Sequence, residues 1–70
     1  MKVTIINHVR EQRLDAGMTQ QELADACQVS RQSIISIERG KYIPSLPLAL
    51  RLAEIFRCST EDLFQRVEAQ

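Results

Sequence analysis

The sequence predicts an all-α fold, a compact bundle of five short helices. Three observations carry this. Thr19, Ser30, Ser45 and Ser59 each stand just before an apolar-patterned run, where a hydroxyl caps a helix start. Behind them, apolar side chains recur at three- and four-residue spacing, as on one face of a helix. Glycine and proline are scarce, two of each in 70 residues, so few positions weaken a helix from within.

Helix 1 is predicted from about Ile5 to Asp15 with Thr4 as N-cap. Ile5 and Val9 lie one turn apart, Arg13 continues that side, and Gly17 ends the helix. The β-branched run Val3-Thr4-Ile5-Ile6 also suits a short strand over Lys2 to Ile6, but the helical spacing is preferred. Asn7 is then a mid-helix surface residue or the cap of a helix that starts later. Helix 2 opens with a capping box, Thr19 with Glu22, and turns Leu23, Ala26 and Cys27 to one side. Helix 3 follows Ser30, with Ile34 and Ile37 on its apolar side, and Gly40 ends it. Lys41 to Pro44 connect, the proline barring helix at Ile43. Ser45 caps helix 4, from Leu46 to about Phe56, with Pro47 tolerated in the first turn. Ser59 with Asp62 reads as a second capping box, starting helix 5, which ends near Arg66. The last residues carry no structural signal. Without linker, repeat or low-complexity tract, residues 1–70 read as one domain with a core over about 5–66.

Composition narrows the function. A hydrophobic share of 44% with 26% charged residues is that of a folded, soluble protein. No apolar run approaches the ~20 residues of a membrane span, and no secretory signal precedes the fold, so a cytoplasmic, nucleoid-associated location is expected. Cys27 and Cys58 read as small buried hydrophobes, and with His8 distant in sequence they form no zinc ligand set. No metal or cofactor is expected. One histidine, no phosphate-cradling glycine loop and no paired acid and nucleophile argue against an enzyme. No aromatic stacking platform for RNA is visible. The net charge is zero, unusual for a nucleic-acid binder. The charge is polarised, however: Arg31, Arg39 and Lys41 cluster about helix 3, whereas Glu54, Glu61, Asp62 and Glu68 lie towards the C-terminal end. Arg51, Arg57 and Arg66 read as solubilising charges, and His8 as a surface residue of helix 1.

Helices 2 and 3, joined by a tight turn, form a helix-turn-helix. The side of helix 3 opposite Ile34 and Ile37 carries Arg31, Gln32, Ser36 and Arg39, side chains suited to base edges and phosphates. Double-stranded DNA is therefore the expected partner.

The motif spacing resembles the Cro/C1-type helix-turn-helix family of bacterial and phage regulators, also called the xenobiotic-response-element family. The likeness runs from Ile5 to Phe64. It rests on Val9 and Arg13, Gly17-Met18-Thr19-Gln20-Gln21-Glu22-Leu23-Ala24, Val29-Ser30-Arg31-Gln32, Ile34, Ile37-Glu38-Arg39-Gly40-Lys41, Pro44-Ser45-Leu46, Leu52-Ala53 and Asp62-Leu63-Phe64. The segment Gly40 to Leu46 looks most like the small stand-alone members. The resemblance implies a lambda-repressor-like domain with helix 3 as recognition helix. It implies Arg31, Gln32 and Ser36 on bases, Gln20, Arg39, Lys41 and Tyr42 on phosphates, and an ion pair between Arg13 and Glu38. Four positions depart from the pattern: Gln28 and Arg57 where glycine is common, Gln12 where leucine is common, and Ile35 where a polar residue is usual.

Helix 4 is apolar on two sides: Leu46, Ala49, Leu50, Ala53 and Phe56 on one, and Leu48, Leu52 and Ile55 on the other. It is either the central core helix or part of a subunit contact. In the second case Leu48, Leu52, Ile55, Phe64 and Val67 would form a homodimer surface. The expected function is sequence-specific regulation of transcription, most simply repression, by a homodimer on a pseudo-palindromic operator. The alternative is an antitoxin that binds a partner toxin and represses its own operon.

Overall fold

The computed structural model describes residues 2–69, with side chains over 4–68. It contains five helices and one small sheet, in the order β1 (Lys2–Asn7), α1 (Val9–Asp15), α2 (Gln20–Cys27), α3 (Arg31–Glu38), α4 (Leu46–Phe56), α5 (Thr60–Leu63) and β2 (Phe64–Ala69). The fold is thus not purely helical. β1 and β2 form an antiparallel ribbon in register from Lys2↔Ala69 to Asn7↔Phe64. The expected helix from Ile5 gives way to the strand reading of that segment, and helix 5 stops at Leu63 rather than near Arg66. The reason is tertiary. Each β-branched strand residue gains a partner from the far end of the chain, which outweighs the weak helix preference of Val3 to Ile6.

Asn7 joins the ribbon to the helices. Its Oδ1 accepts the N–H of Val9 at 3.3 Å, starting α1, and its Nδ2 donates to the Ile37 carbonyl of α3 at 2.9 Å. His8 holds the N-cap position itself, half-buried, with no side-chain capping bond. The other helices begin as their sequences dictate. The Thr19 hydroxyl accepts from Glu22 N–H at 3.0 Å, and the Glu22 carboxylate accepts from Thr19 N–H at 2.8 Å, completing the capping box. Ser30 and Ser45 cap α3 and α4. Ser59 accepts from Asp62 N–H at 3.1 Å, half of the expected box.

Val9, Leu23, Ala24, Cys27, Ile34, Ile37, Leu52, Ala53 and Leu63 form the core, one to three from every helix. This resolves the two sides of α4. Leu52 is 0% exposed within one chain, so it is a core residue and not part of a subunit surface. Leu48, Ile55 and Phe64 pack partly against that core. Leu46 and Leu50 instead face outward with Ile43, Leu46 being 69% exposed. Cys27 is buried and Cys58 half-buried, both as free thiols whose pKa burial pushes up. Among the described residues no helix is long and apolar enough to cross a membrane, and no side-chain cluster could hold a metal ion.

The two non-glycine departures from the family pattern accept a left-handed backbone. Gln28 ends α2 at φ 59°, and Arg57 ends α4 at φ 55°. In each case the N–H of the following residue reaches back to close the helix, Val29 to Ala24 and Cys58 to Ala53, both at 3.0 Å. A side chain in that conformation costs roughly 1–2 kcal/mol, partly offset by the greater freedom glycine has when unfolded. Gln28→Gly and Arg57→Gly are each expected to stabilise the fold by about 0.5–1 kcal/mol in urea titrations.

The His8 ring lies between two acceptors, Glu11 Oε2 at 3.0 Å from Nδ1 and Gln65 Oε1 at 3.3 Å from Nε2. Only the doubly protonated ring donates to both. The bond to Gln65, followed by that to Glu11, raises its pKa above the ordinary 6.5. A pKa raised by folding adds stability that is complete below the unfolded value and is lost as pH rises through the folded one. The melting temperature is therefore expected to carry a His8 contribution that declines as pH rises past about 6.5. In His8→Gln that part of the pH profile should flatten, as scanning calorimetry across pH would read.

Candidate nucleic-acid interface

The candidate site is built on α3. At about 100° per residue, the buried Ile34 and Ile37 fix one side of this helix to the core. The same rotation turns Arg31, Gln32, Ile35, Ser36 and Arg39 away from it. Arg31 and Gln32 occupy the exposed first turn, Ile35 and Ser36 are half-buried in the second, and Arg39 is exposed at the C-cap. The Ser30 hydroxyl sets where this face begins, because it accepts from Ser33 N–H at 3.1 Å.

A hollow lies on either side of that face. The larger, about 990 Å³, runs between α1, the start of α2 and α3, with Arg10, Leu14, Gln20, Gln21, Arg31, Ile35 and Arg39 in its walls. The smaller, about 300 Å³, is bounded by Gln32, Ser33, Ser36 and Tyr42. The face expected to meet DNA is thus a ridge between two grooves. Lys41 and Tyr42 stand exposed just beyond the ridge, where Lys41 N–H donates to the Ser36 carbonyl at 3.0 Å.

The charges resolve the neutral composition. The larger cleft is walled by four arginines, Arg10, Arg13, Arg31 and Arg39, against the single carboxylate of Glu38. That carboxylate is already bound. Arg13 Nε donates to Glu38 Oε2 at 2.7 Å and Arg13 Nη2 to Glu38 Oε1 at 3.2 Å, a bidentate pair with side chains only 9% and 4% exposed. Arg13 Nη1 also donates to the Met18 carbonyl at 2.9 Å, and Gln20 Nε2 to Glu38 Oε1 at 3.2 Å. One guanidinium thus joins α1, the turn before α2 and the end of α3. The negative charge at the cleft floor is neutralised, and the remaining arginines leave the cleft cationic.

Gln20 therefore has its side chain committed to Glu38. Its backbone N–H, with that of Gln21, belongs to the first turn of α2, which has no intrahelical acceptor for it. Arg10 and Gln21 were not singled out from the sequence. An arginine on an amphipathic first helix reads as a solubilising charge, and only the packing of α1 across α3 brings it to the cleft. Of the residues read as a subunit surface, Val67 is exposed on β2, at 42%, whereas Leu48, Ile55 and Phe64 are half-buried.

Comparison with known proteins finds the same helix-turn-helix in other chains. A helix-turn-helix family model matches residues 9–63. An HTH-type transcriptional regulator of Archaeoglobus fulgidus is 50% identical over 56 residues, 80% of this chain and 80% of its own. Among solved structures, the restriction-modification controller protein C.AhdI from Aeromonas hydrophila superposes with a TM-score of 0.74 at 32% identity, over 81% of this chain and 86% of that one. The clp gene regulator ClgR from Corynebacterium glutamicum superposes with a TM-score of 0.72 at 33% identity, over 77% of this chain and 57% of that one. The family match begins after β1 and stops before β2.

Removing Arg13 would leave the Glu38 charge buried with Gln20 alone. Arg13→Met is expected to cost about 3–5 kcal/mol in denaturant unfolding. The double variant with Glu38→Leu should recover much of that loss, because no unpaired charge then remains.

Proposed function

The chain belongs to the Cro/C1-type helix-turn-helix family of transcriptional regulators, and from that premise we propose that it reads a specific DNA sequence with α3, as a homodimer that represses transcription. The observation that carries this reading is the α3 ridge, with polar side chains at its exposed start and an arginine-walled cleft beside it.

In this reading the ridge enters the major groove. Arg31 donates two hydrogen bonds to guanine O6 and N7, and Gln32 pairs with adenine through N6 and N7. Ser36 serves as a second-turn base contact, and Ile35 meets a thymine methyl group. The flanking hollows receive the two sugar–phosphate walls of the groove. Arg39 and Arg10 bind phosphate from the larger cleft, and Lys41 and the Tyr42 hydroxyl from beyond the smaller one. Gln20 contributes its backbone N–H at the positive end of α2. Phosphate contacts supply affinity and register, while base contacts supply sequence.

A single module covers a small footprint, about 600–1,000 Å². Two copies on half-sites one helical turn apart, roughly 34 Å, give useful affinity on a pseudo-palindromic operator. Occluding polymerase is the simplest route from such binding to regulation. The antitoxin alternative loses part of its footing, because the two-sided α4 on which it drew spends Leu52 and Ala53 on the core.

Selection from a random duplex pool tests the proposal by returning a half-site and its spacing. Arg31→Ala and Gln32→Ala are each expected to relax preference at one base pair, at about 1–3 kcal/mol. Lys41→Ala should weaken all sequences alike and lower the salt slope by about 1. A pool without an enriched ligand, or both kinds of variant binding as the unaltered chain does, would overturn the reading.

A further inference from the structure

We propose that the subunits of the dimer pair edge to edge through β2, in an antiparallel register centred on Val67. The inference rests on the homodimer reading above and names the surface that makes it.

The argument starts from which backbone groups of the ribbon are spent. His8 N–H donates to the Leu63 carbonyl at 2.9 Å, so the hydrogen-bonded positions of the ladder include the pair 8 and 63. Such pairs alternate along an antiparallel ladder. With the observed register, Ile6 with Gln65 and Thr4 with Val67 therefore direct their N–H and C=O groups at each other. Phe64, Arg66 and Glu68 direct theirs outward. Phe64 N–H confirms this parity, because it donates to the Thr60 carbonyl of α5 and not to β1. Among the described residues, no hydrogen bond of the fold takes up the outward backbone groups of Arg66 or Glu68. Residues Gln65 to Glu68 are all exposed. This is an open strand edge, a template for another strand.

The chemistry of the edge selects its occupant. Two copies related by a two-fold axis meet through the same patch, so their strands run antiparallel. Only registers that place outward residues opposite outward residues form a ladder. A register centred on Arg66 sets that arginine against itself, and one centred on Glu68 does the same with a carboxylate. A register centred on Gln65 needs Phe64 N–H, which α5 already holds. The register centred on Val67 places Arg66 opposite Glu68 of the second copy, and Glu68 opposite its Arg66. Opposite charges directly across a ladder attract, and like charges repel. The edge is thus self-complementary in one register and repulsive in its neighbours. Val67 then faces its own copy on the side of the ribbon that carries Ile6, where the two residues are 42% and 44% exposed. The other edge, β1, carries no charged side chain between Val3 and Asn7 to choose a register.

In a single chain Arg66 Nη2 donates to Glu68 Oε1 at 2.8 Å along the strand. The test separates that local pair from the pairing between copies. Sedimentation equilibrium of the full chain is measured for Arg66→Glu, for Glu68→Arg and for their equimolar mixture. Each variant alone presents like charges across the proposed register and is expected to self-associate at least about tenfold more weakly. The mixture sets an acidic strand against a basic one, so a one-to-one heterodimer should return near the unaltered affinity, although neither chain keeps its own Arg66–Glu68 pair. Glu68→Pro removes an outward N–H that β1 does not use. It should abolish the dimer while the far-UV circular dichroism is unchanged. If the unaltered chain dimerises and these variants dimerise equally, or the mixture stays monomeric, the β2 edge is wrong and the homodimer stands on another surface. If the unaltered chain is monomeric both free and on its selected DNA, the homodimer reading falls and the β2 pairing with it.

Discussion

The way α3 lies against the rest of the fold depends on one buried ion pair. Arg13 and Glu38 sit where α1, the turn into α2 and the end of α3 converge, and between them they bind each other, the Met18 carbonyl and the Gln20 amide. Taking both charges out of water has a high desolvation cost, and a hydrocarbon pair of similar volume would stabilise the fold as well or better. What the pair supplies is direction. A bidentate guanidinium–carboxylate contact has a fixed plane, so it sets how α3 lies against α1 in a way that interchangeable aliphatic contacts do not. It also removes a carboxylate from the floor of a cleft that would otherwise carry opposing charge beside Arg10, Arg31 and Arg39.

A second constraint acts on the same helix. Asn7 holds the carbonyl of Ile37, so the end of α3 is attached to the ribbon as well as to α1 and α2. Its start is set by Ser30, and its inner face by Ile34 and Ile37. Helix α3 is only eight residues long and gains little from its own hydrogen bonds. Its precision comes from these external attachments. If α3 reads DNA as proposed, its side chains are held on rigid structure, which limits the ordering entropy lost on binding.

How much of this was legible in the sequence follows from the range of each signal. Thr19 with Glu22, Ser30 and Ser45 act within one turn, and the helices they start lie where those residues place them. The Arg13–Glu38 pair was legible through resemblance, since two charges 25 positions apart carry no local pattern. The ribbon was misread because Ile5 extends by coincidence the helical spacing that Val9 and Arg13 keep within α1, while the strand's partner lies at the opposite end of the chain. The two apolar sides of α4 could not be ranked, because Leu52 in the core and Leu46 in solvent have the same side chain and differ only in tertiary surroundings. Arg10 and Gln21 were invisible for the same reason. The left-handed turns at Gln28 and Arg57 were flagged as departures, and the backbone there keeps the glycine-like geometry.

The ribbon has a kinetic corollary. Asn7 and Phe64 are neighbours in space, yet all five helices lie between them along the chain. Each ribbon contact closes a long loop, whose entropy is lost before the contact can form. The α2–α3 unit joins consecutive segments through short-range contacts and can assemble without that closure. The α2–α3 unit is therefore expected to consolidate early in folding and the terminal strands to zip up last. In the order of opening the sequence is expected to reverse, the strands fraying while the helical core stays intact.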